Sequence, residues 1–334
     1  VNISCCYLSH GHINGMAEAL LSAGAGLVSV YDPDERKVEK FMRKYPNARV
    51  ASSYEEVLQD EKVDIVLLAS IYSKRAEHAI AALESGKHVF VDKPACTTIE
   101  DLERIRAAQR RAGRKFGVYY SEHINVASSI RAGELVAEGR IGKVVEVTLL
   151  APHKLRENTR EDWFFRKESY GGIITDIGSH QIEQLLFFSG SSDARILTST
   201  VGNFNNPHHP EFEDYGSLVL KLSSGATGYM RVDWYTPESF PVFGDGRLLI
   251  LGTEGYIEVR KYHDISTGER DSLYLVNGEG THHEVCTGKV EKRFFRDFLS
   301  DCENGTEISM KQDYVFKVME IALRAESEAD VEGK

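Results

Sequence analysis

Apolar runs of strand length alternate with amphipathic runs of helix length over the first 120 residues or so, and few architectures accept that rhythm. Strands are expected at Ile3–Leu8, Leu27–Tyr31, Arg49–Ala51, Val63–Ala69, Val89–Val91 and Phe116–Tyr120. Helices are expected between them, at Gly15–Ala23 and Glu35–Tyr45, after Ser53, before Ser85-Gly86 and after Thr97. The central strands are apolar throughout rather than alternating, as strands buried on both faces of a parallel sheet must be. Ser53 with Glu56 has capping-box spacing, and Thr97 with Glu100 offers a second cap. The pattern predicts a doubly wound parallel sheet over residues 1–120.

The rhythm then breaks. One helix and a long strand, Val144–Leu150, lead to a helix over Ile173–Phe188. From Arg195 to Cys286 the chain is rich in strands separated by turn signals such as Ser224-Gly225 and Gly252-Thr253-Glu254-Gly255. Helices at Val290–Leu299 and Gln312–Ala325 follow, and the acidic end from Glu326 reads as frayed. Residues 121–334 therefore read as an α+β domain on a large, mainly antiparallel sheet with an open face.

A formal net charge of −11 argues against a nucleic-acid partner, since phosphate binding relies on basic patches. Five cysteines without a CxxC pair suggest neither a disulfide framework nor a zinc site, and no apolar run is long enough to cross a bilayer. The cytoplasm is the expected location. His208-His209, between Pro207 and Pro210, and His282-His283, in an expected strand where neighbours face opposite ways and share a metal poorly, both read as surface features. No metal is expected.

Candidate chemistry lies at strand ends, where open α/β sheets bind ligands. The first strand–helix turn runs Ser9-His10-Gly11-His12-Ile13-Asn14-Gly15, a degenerate dinucleotide fingerprint that keeps the middle glycine. Asp32 ends the second strand 21 positions after Gly11, where a carboxylate accepts the ribose hydroxyls and disfavours a 2′-phosphate. NAD is the expected cofactor, with NADP possible through Arg36 and Lys37. Ser9, Gly11, His12, Ile13 and Asp32 are its candidate ligands, with Ala69 and Ser70 after the fourth strand. Asp92-Lys93-Pro94 closes the strand beginning at His88 and adds an acid, an amine and a fixed turn to the same set. Later, Asp176 and His180 lie four apart and should share one helical face, where the carboxylate can orient the imidazole. Glu183 continues that stripe, His153 and Trp163 read as a substrate wall, and Tyr235 ends a long strand within possible reach of the cleft.

Three stretches resemble the Gfo/Idh/MocA family of NAD(P)-dependent oxidoreductases. Gly86-Lys87-His88-Val89-Phe90-Val91-Asp92-Lys93-Pro94 resembles its GKHV…EKP, with Asp92 in place of Glu. Gly171–His180 resembles its GG…D.G.H motif, and Gly252-Thr253-Glu254-Gly255 its GT.G turn. The resemblance implies hydride transfer between nicotinamide and a secondary hydroxyl of a sugar, cyclic polyol or derivative. It gives Lys93 contacts to ribose and substrate, Asp176 a substrate-binding role and His180 the proton. It also implies a homodimer or homotetramer through the C-terminal sheet. The chain departs from the family at Ser70-Ile71-Tyr72, at Arg75, where a His is usual, and at Tyr119-Tyr120-Ser121-Glu122-His123, where an Asn and an Arg are common. The alternatives are a non-catalytic NAD(P)-sensing regulator on the same fold and an NAD-dependent glycosidase.

Overall fold

Six short strands, the central ones largely apolar as expected, form one parallel sheet in the computed structural model, which describes residues 1–332. They are β1 (Asn2–Cys6), β2 (Gly26–Tyr31), β3 (Arg49–Val50), β4 (Ile65–Leu68), β5 (His88–Asp92) and β6 (Phe116–Tyr119), in the order β3-β2-β1-β4-β5-β6. The crossovers carry α1 (His12–Ser22), α2 (Glu35–Met42), α3 (Tyr54–Gln59), α4 (Arg75–Glu84) and α5 (Ile99–Ala112). The order reverses at β1, which places the switch point of the doubly wound sheet at the β1 and β4 carboxyl ends. The expected caps are present: Ser53 Oγ accepts the Glu56 N–H, and Thr98 Oγ1, one residue later than expected, accepts the Asp101 N–H.

This unit comprises Val1–Tyr119, Glu168–Gly171 and Arg293–Met319, so it takes in C-terminal segments that the sequence assigns to the second domain. The reason is the edge of β6, which has no further strand beside it and is covered by these segments. Gln312 uses its amide as one more strand residue would: Oε1 accepts the Phe116 N–H at 2.8 Å and Nε2 donates to Phe116 O at 3.2 Å. Phe316 stacks on Phe116 at 5.5 Å, and Phe298 packs on Phe90 at 5.0 Å.

His88, which opens β5, is buried, and its Nδ1 accepts the Lys115 N–H at 2.9 Å. Burial lowers its pKa to about 4. The unfolded chain takes up this proton near pH 6.5, whereas the folded chain resists it down to about pH 4. Stability is therefore lost as pH falls through that window, by up to roughly 3 kcal/mol for one such group. Denaturant titrations from pH 7 to 4 should show the decline, and His88→Gln, which can still accept from Lys115 but cannot titrate, should make it shallower, with His10 and His78 still contributing. An unchanged slope would remove His88 from the account.

The second unit comprises Tyr120–Lys167, Gly172–Lys292 and the chain from Glu320. Its strands are β7 (Val144–Pro152), β8 (Ala194–Gly202), β9 (Tyr215–Leu222), β10 (Thr227–Asp233), β11 (Arg247–Gly252), β12 (Gly255–Arg260), β13 (Ser272–Asn277), β14 (Gly280–Val285) and β15 (Asp330–Glu332). They form one sheet, ordered β14-β13-β12-β11-β7-β10-β9-β8-β15. The β7–β10 and β8–β15 pairs are parallel and the rest antiparallel. Helices α6 (Ser121–Ile124), α7 (Ala127–Ala137), α8 (Lys167–Tyr170), α9 (Ser179–Ser189), α10 (Arg293–Asn304) and α11 (Gln312–Ser327) complete the chain. The acidic end is not frayed as far as Glu332: α11 continues to Ser327, and Asp330–Glu332 pairs with Thr200–Gly202. Lys334 and the residue before it lie outside the described residues.

Candidate active-site residues

The β1–α1 turn lacks two of the fingerprint glycines, and the structure shows what replaces them. His10 Nδ1 and His12 Nδ1 each lie 2.8 Å from a carboxylate oxygen of Asp92. The fully buried Arg75 donates to Asp92 Oδ2 at 2.9 Å, and its remaining donors reach the carbonyls of Ser70, Asp92 and Pro94. Burial opposes ionisation of Asp92, yet His12, Arg75 and His10 hold its carboxyl well below the usual carboxylate range. His10 moves the other way: burial lowers its pKa to about 4 despite Asp92, with Lys93 contributing in the same direction as burial. A buried ionic hub thus ties the β1 and β5 carboxyl ends together and fixes a loop that glycines would otherwise shape.

The remaining cofactor candidates sit around this hub. Ala69 O accepts the His10 N–H at 3.0 Å. Ser70 Oγ lies 3.1 Å from His78 Nδ1, and Ser9 Oγ accepts from Lys37 Nζ at 3.2 Å. Ile13 is a core side chain. Asp32 accepts the N–H groups of Leu8 and Asp34 at 2.5 and 2.8 Å; burial raises its pKa against those two bonds. Lys93 is buried, 5% exposed, directly after β5. A Cβ built on Gly11 meets nothing within 4 Å, so the loop at the start of α1 stays open. A helix N-terminus with open backbone suits a pyrophosphate, and Asp32 suits a ribose. These residues fit a dinucleotide.

In the second unit, Asp176 and His180 are 2% and 3% exposed. They do not share one regular α-helical face. Residues Ile174–Gly178 form a π-helical turn, and α9 begins only at Ser179. Such turns widen a helix locally and are frequent at functional sites. The turn is anchored from outside. Glu213 Oε2 accepts the Ile173 N–H at 2.9 Å, and Glu326 Oε2 accepts the Ile174 and Thr175 N–H groups at 2.8 and 3.3 Å. Lys167 Nζ pairs with both carboxylates. Burial and the neighbouring Glu213 raise the Glu326 pKa against the pull of Lys167. Gly172, at φ +102°, leaves room for this anchor, because a Cβ there would lie 2.1 Å from Glu326 Cδ. Gly172→Ala should therefore cost roughly 2–4 kcal/mol from backbone strain and displacement of Glu326, read as a lower urea midpoint. A near-native midpoint would show that the anchor is dispensable.

A second buried charge lies beside these residues, and sequence reasoning did not assign it a role. Glu122, 3% exposed, accepts from Lys261 Nζ at 2.8 Å; Lys261 is itself 1% exposed. His153 Nε2 stands 3.7 Å from the other Glu122 oxygen, and the Tyr120 ring lies 6.4 Å from that of His180. Burial opposes the charge on Glu122, but Lys261, His180 and His153 hold its carboxyl well below the usual carboxylate range. The available signal was an acid just past the carboxyl end of β6, the logic already applied to Asp92 after β5. Glu183 is buried, with His123 Nδ1 at 3.0 and 3.1 Å from its two oxygens. Trp163 lies in a separate 3₁₀ turn, Asp162–Phe165, and the Tyr235 hydroxyl donates to Asp214 at 2.5 Å. His208 and His209, flanked by Pro207 and Pro210, converge on one acid. They lie in a turn, and both Nε2 atoms approach Glu157 Oε1 at 2.9 Å.

Two family models match the chain. Residues 9–120 match the oxidoreductase family with an NAD-binding Rossmann fold, and residues 130–258 match the GFO/IDH/MocA C-terminal domain. A solved structure from Erwinia carotovora atroseptica SCRI1043, whose name goes no further than oxidoreductase class, is 45% identical over 99% of both chains with a TM-score of 0.97. The chain belongs to the Gfo/Idh/MocA oxidoreductase family. Among curated members, a scyllo-inositol 2-dehydrogenase (NAD(+)) of Bacillus subtilis (strain 168) is 27% identical over 85% of this chain and 78% of its own. A D-xylose dehydrogenase of Paenarthrobacter nicotinovorans is 28% identical over 76% of this chain and 62% of its own. The chain spans about half the length of the first curated Gfo/Idh/MocA relatives it matches, 53–54%. Levoglucosan dehydrogenase in complex with NADH and levoglucosan shares the fold, with a TM-score of 0.82 at 17% identity over 98% of this chain and 96% of that one.

Proposed function

We propose that this Gfo/Idh/MocA protein is an NAD-dependent dehydrogenase or reductase that acts on a secondary hydroxyl of a sugar, cyclic polyol or derivative. The observation that carries the reading is the buried His180, in one unit with Asp176, Glu122 and His153. A protein that only sensed the nucleotide would have no use for an imidazole and several acids kept out of solvent.

In this reading His180 takes the hydroxyl proton in the oxidative direction and returns it in the reductive one. Asp176 holds the imidazole or a neighbouring hydroxyl. Lys93 stabilises the developing alkoxide and polarises the carbonyl in reverse. The bound nicotinamide supplies the hydride chemistry. Ser9, Gly11, His12, Ile13, Ala69 and Ser70 line the dinucleotide site, and Asp32 receives the adenosine ribose. Asp92 and Pro94 act on that site through the ionic hub and the turn rather than by presenting a free side chain, since the Asp92 carboxylate is already engaged. His153 and Trp163 belong to the substrate wall.

Leu249, Leu251 and Tyr256 are about two-fifths exposed on the outer face of the β11–β12 pair, which supports a homodimer or homotetramer through this sheet. Five free cysteines fit a cytoplasmic location, and no described helix is long and apolar enough to cross a membrane.

The test is absorbance at the reduced-nicotinamide band with NAD or NADP and a panel of scyllo-inositol, D-xylose, levoglucosan and related polyols. Growth of the band with at least one polyol is expected. NAD binding without turnover on any panel member would favour the sensor, and sugar release from glycosides without net NADH would favour the glycosidase.

A further inference from the structure

Glu122 is only half satisfied. Its Oε2 is paired with Lys261 at 2.8 Å, while Oε1, equally buried, has no hydrogen-bond partner among the described residues. His153 Nε2, at 3.7 Å, is beyond hydrogen-bond range. Leaving a charged oxygen unmatched in a buried place is costly, and native structures rarely do so without a reason.

Two other orphaned atoms belong to residues that touch His153. Thr236 Oγ1 and Trp234 Nε1 are buried without hydrogen-bond partners among the described residues; the Thr236 backbone N–H donates to His153 O at 3.1 Å, and the Trp234 ring lies 5.8 Å from the His153 ring. His153 thus packs against residues that carry an ionised acceptor, an indole donor and a hydroxyl that can do either. An apolar ligand at Glu122 would leave Oε1 unmatched, whereas a hydroxyl can donate to it. The ion pair with Lys261 accounts for one Glu122 oxygen and not for the other.

We infer that Glu122, held in place by Lys261, is a substrate-binding residue. Its unpaired oxygen accepts a hydrogen bond from a hydroxyl adjacent to the reacting one, so the site selects substrates with two neighbouring hydroxyls. The inference rests on the functional reading above and narrows its substrate class. Nothing in the Asp176 and His180 motif identifies Glu122, and in sequence it stands where the family commonly has other residues.

The experiment is calorimetric binding of scyllo-inositol, D-xylose and levoglucosan to the full chain loaded with NADH, each beside its analogue lacking one neighbouring hydroxyl. Wild type is compared with Glu122→Gln and with Glu122→Gln/Lys261→Met. The double variant matters because the single one strands a buried lysine charge and can unfold the site for that reason alone. Wild type should bind at least one polyol roughly 10–100-fold more tightly than its deoxy analogue, the worth of a hydrogen bond to a charged group. In the double variant the two should bind within about threefold of each other, with NADH affinity unchanged.

Equal weakening of both ligands in the double variant would make Glu122 structural. Persistent discrimination would show that Oε1 meets only water. Absence of any polyol binding to wild type would also overturn the inference. The broader functional reading fails separately, through a turnover panel that yields no reduced nicotinamide, and it survives if polyols are oxidised while Glu122 proves indifferent to their hydroxyls.

Discussion

Asp92→Asn should destabilise the Rossmann unit by roughly 3–5 kcal/mol and weaken NADH binding by about tenfold or more. The side chain has no exposure, and three residues from two other segments converge on its carboxylate: His10 and His12 from the β1–α1 turn and Arg75 from α4. Arg75 is fully buried, and its other bonds all go to neutral carbonyls. Asparagine keeps the shape and removes the one anion that pairs with that guanidinium among the described residues, which leaves a buried charge uncompensated. The loop that carries Gly11 is held by the same carboxylate, so cofactor affinity should fall along with stability. Urea denaturation and NADH fluorescence titration check the two halves. A native midpoint in Asp92→Asn would show that the hub contributes little and that the loop is shaped by something else.

The parts that were legible in sequence share a physical cause, and so do those that were not. Continuous apolar strands and single-residue caps are local signals, so both sheets, the Ser53 cap and the place of Asp32 after β2 could be read directly. The hub could not. Asp92 and Arg75 each registered as a departure from the family pattern, but their pairing depends on β4 and β5 being neighbours in the sheet. Glu326 was misread for a similar reason. An acidic tail suggests solvent, yet Lys167 and two backbone N–H groups compensate this one carboxylate inside the second unit. The Asp176–His180 spacing suggested an α-helical face because periodicity alone does not reveal a π-turn. The convergence of His208 and His209 on Glu157 is hidden because the acid lies about fifty positions earlier in the chain. Lys261 gave no signal at all, since its partner is 139 positions away.

Lys93→Met should lower turnover by about 10²–10⁴-fold, the range of a positioned proton-transfer or charge-stabilising group. NAD affinity should stay within a few-fold of wild type, because the proposed pyrophosphate and adenosine-ribose contacts come from the β1–α1 loop and Asp32, which leaves Lys93 only a share of the nicotinamide-ribose contact. Methionine keeps most of the buried stem and removes only the ammonium. The loss should appear in kcat more than in KM, as expected for an interaction that strengthens as the alkoxide develops. Stopped-flow and steady-state kinetics on a panel polyol would measure the split. Unchanged kcat with raised KM would assign Lys93 to ground-state binding.

The central claim is direct hydride transfer from a carbinol carbon to the nicotinamide, and isotope transfer tests it most directly. The protein is incubated with NAD and a polyol deuterated on its ring carbons, and the reduced cofactor is examined by mass spectrometry and proton NMR. The account predicts one deuterium at C4 of the nicotinamide per carbonyl product formed, with Lys93→Met reducing the rate and not the stoichiometry. Reduced cofactor free of deuterium, or a product released with no net reduction of NAD by any polyol of the panel, would contradict it.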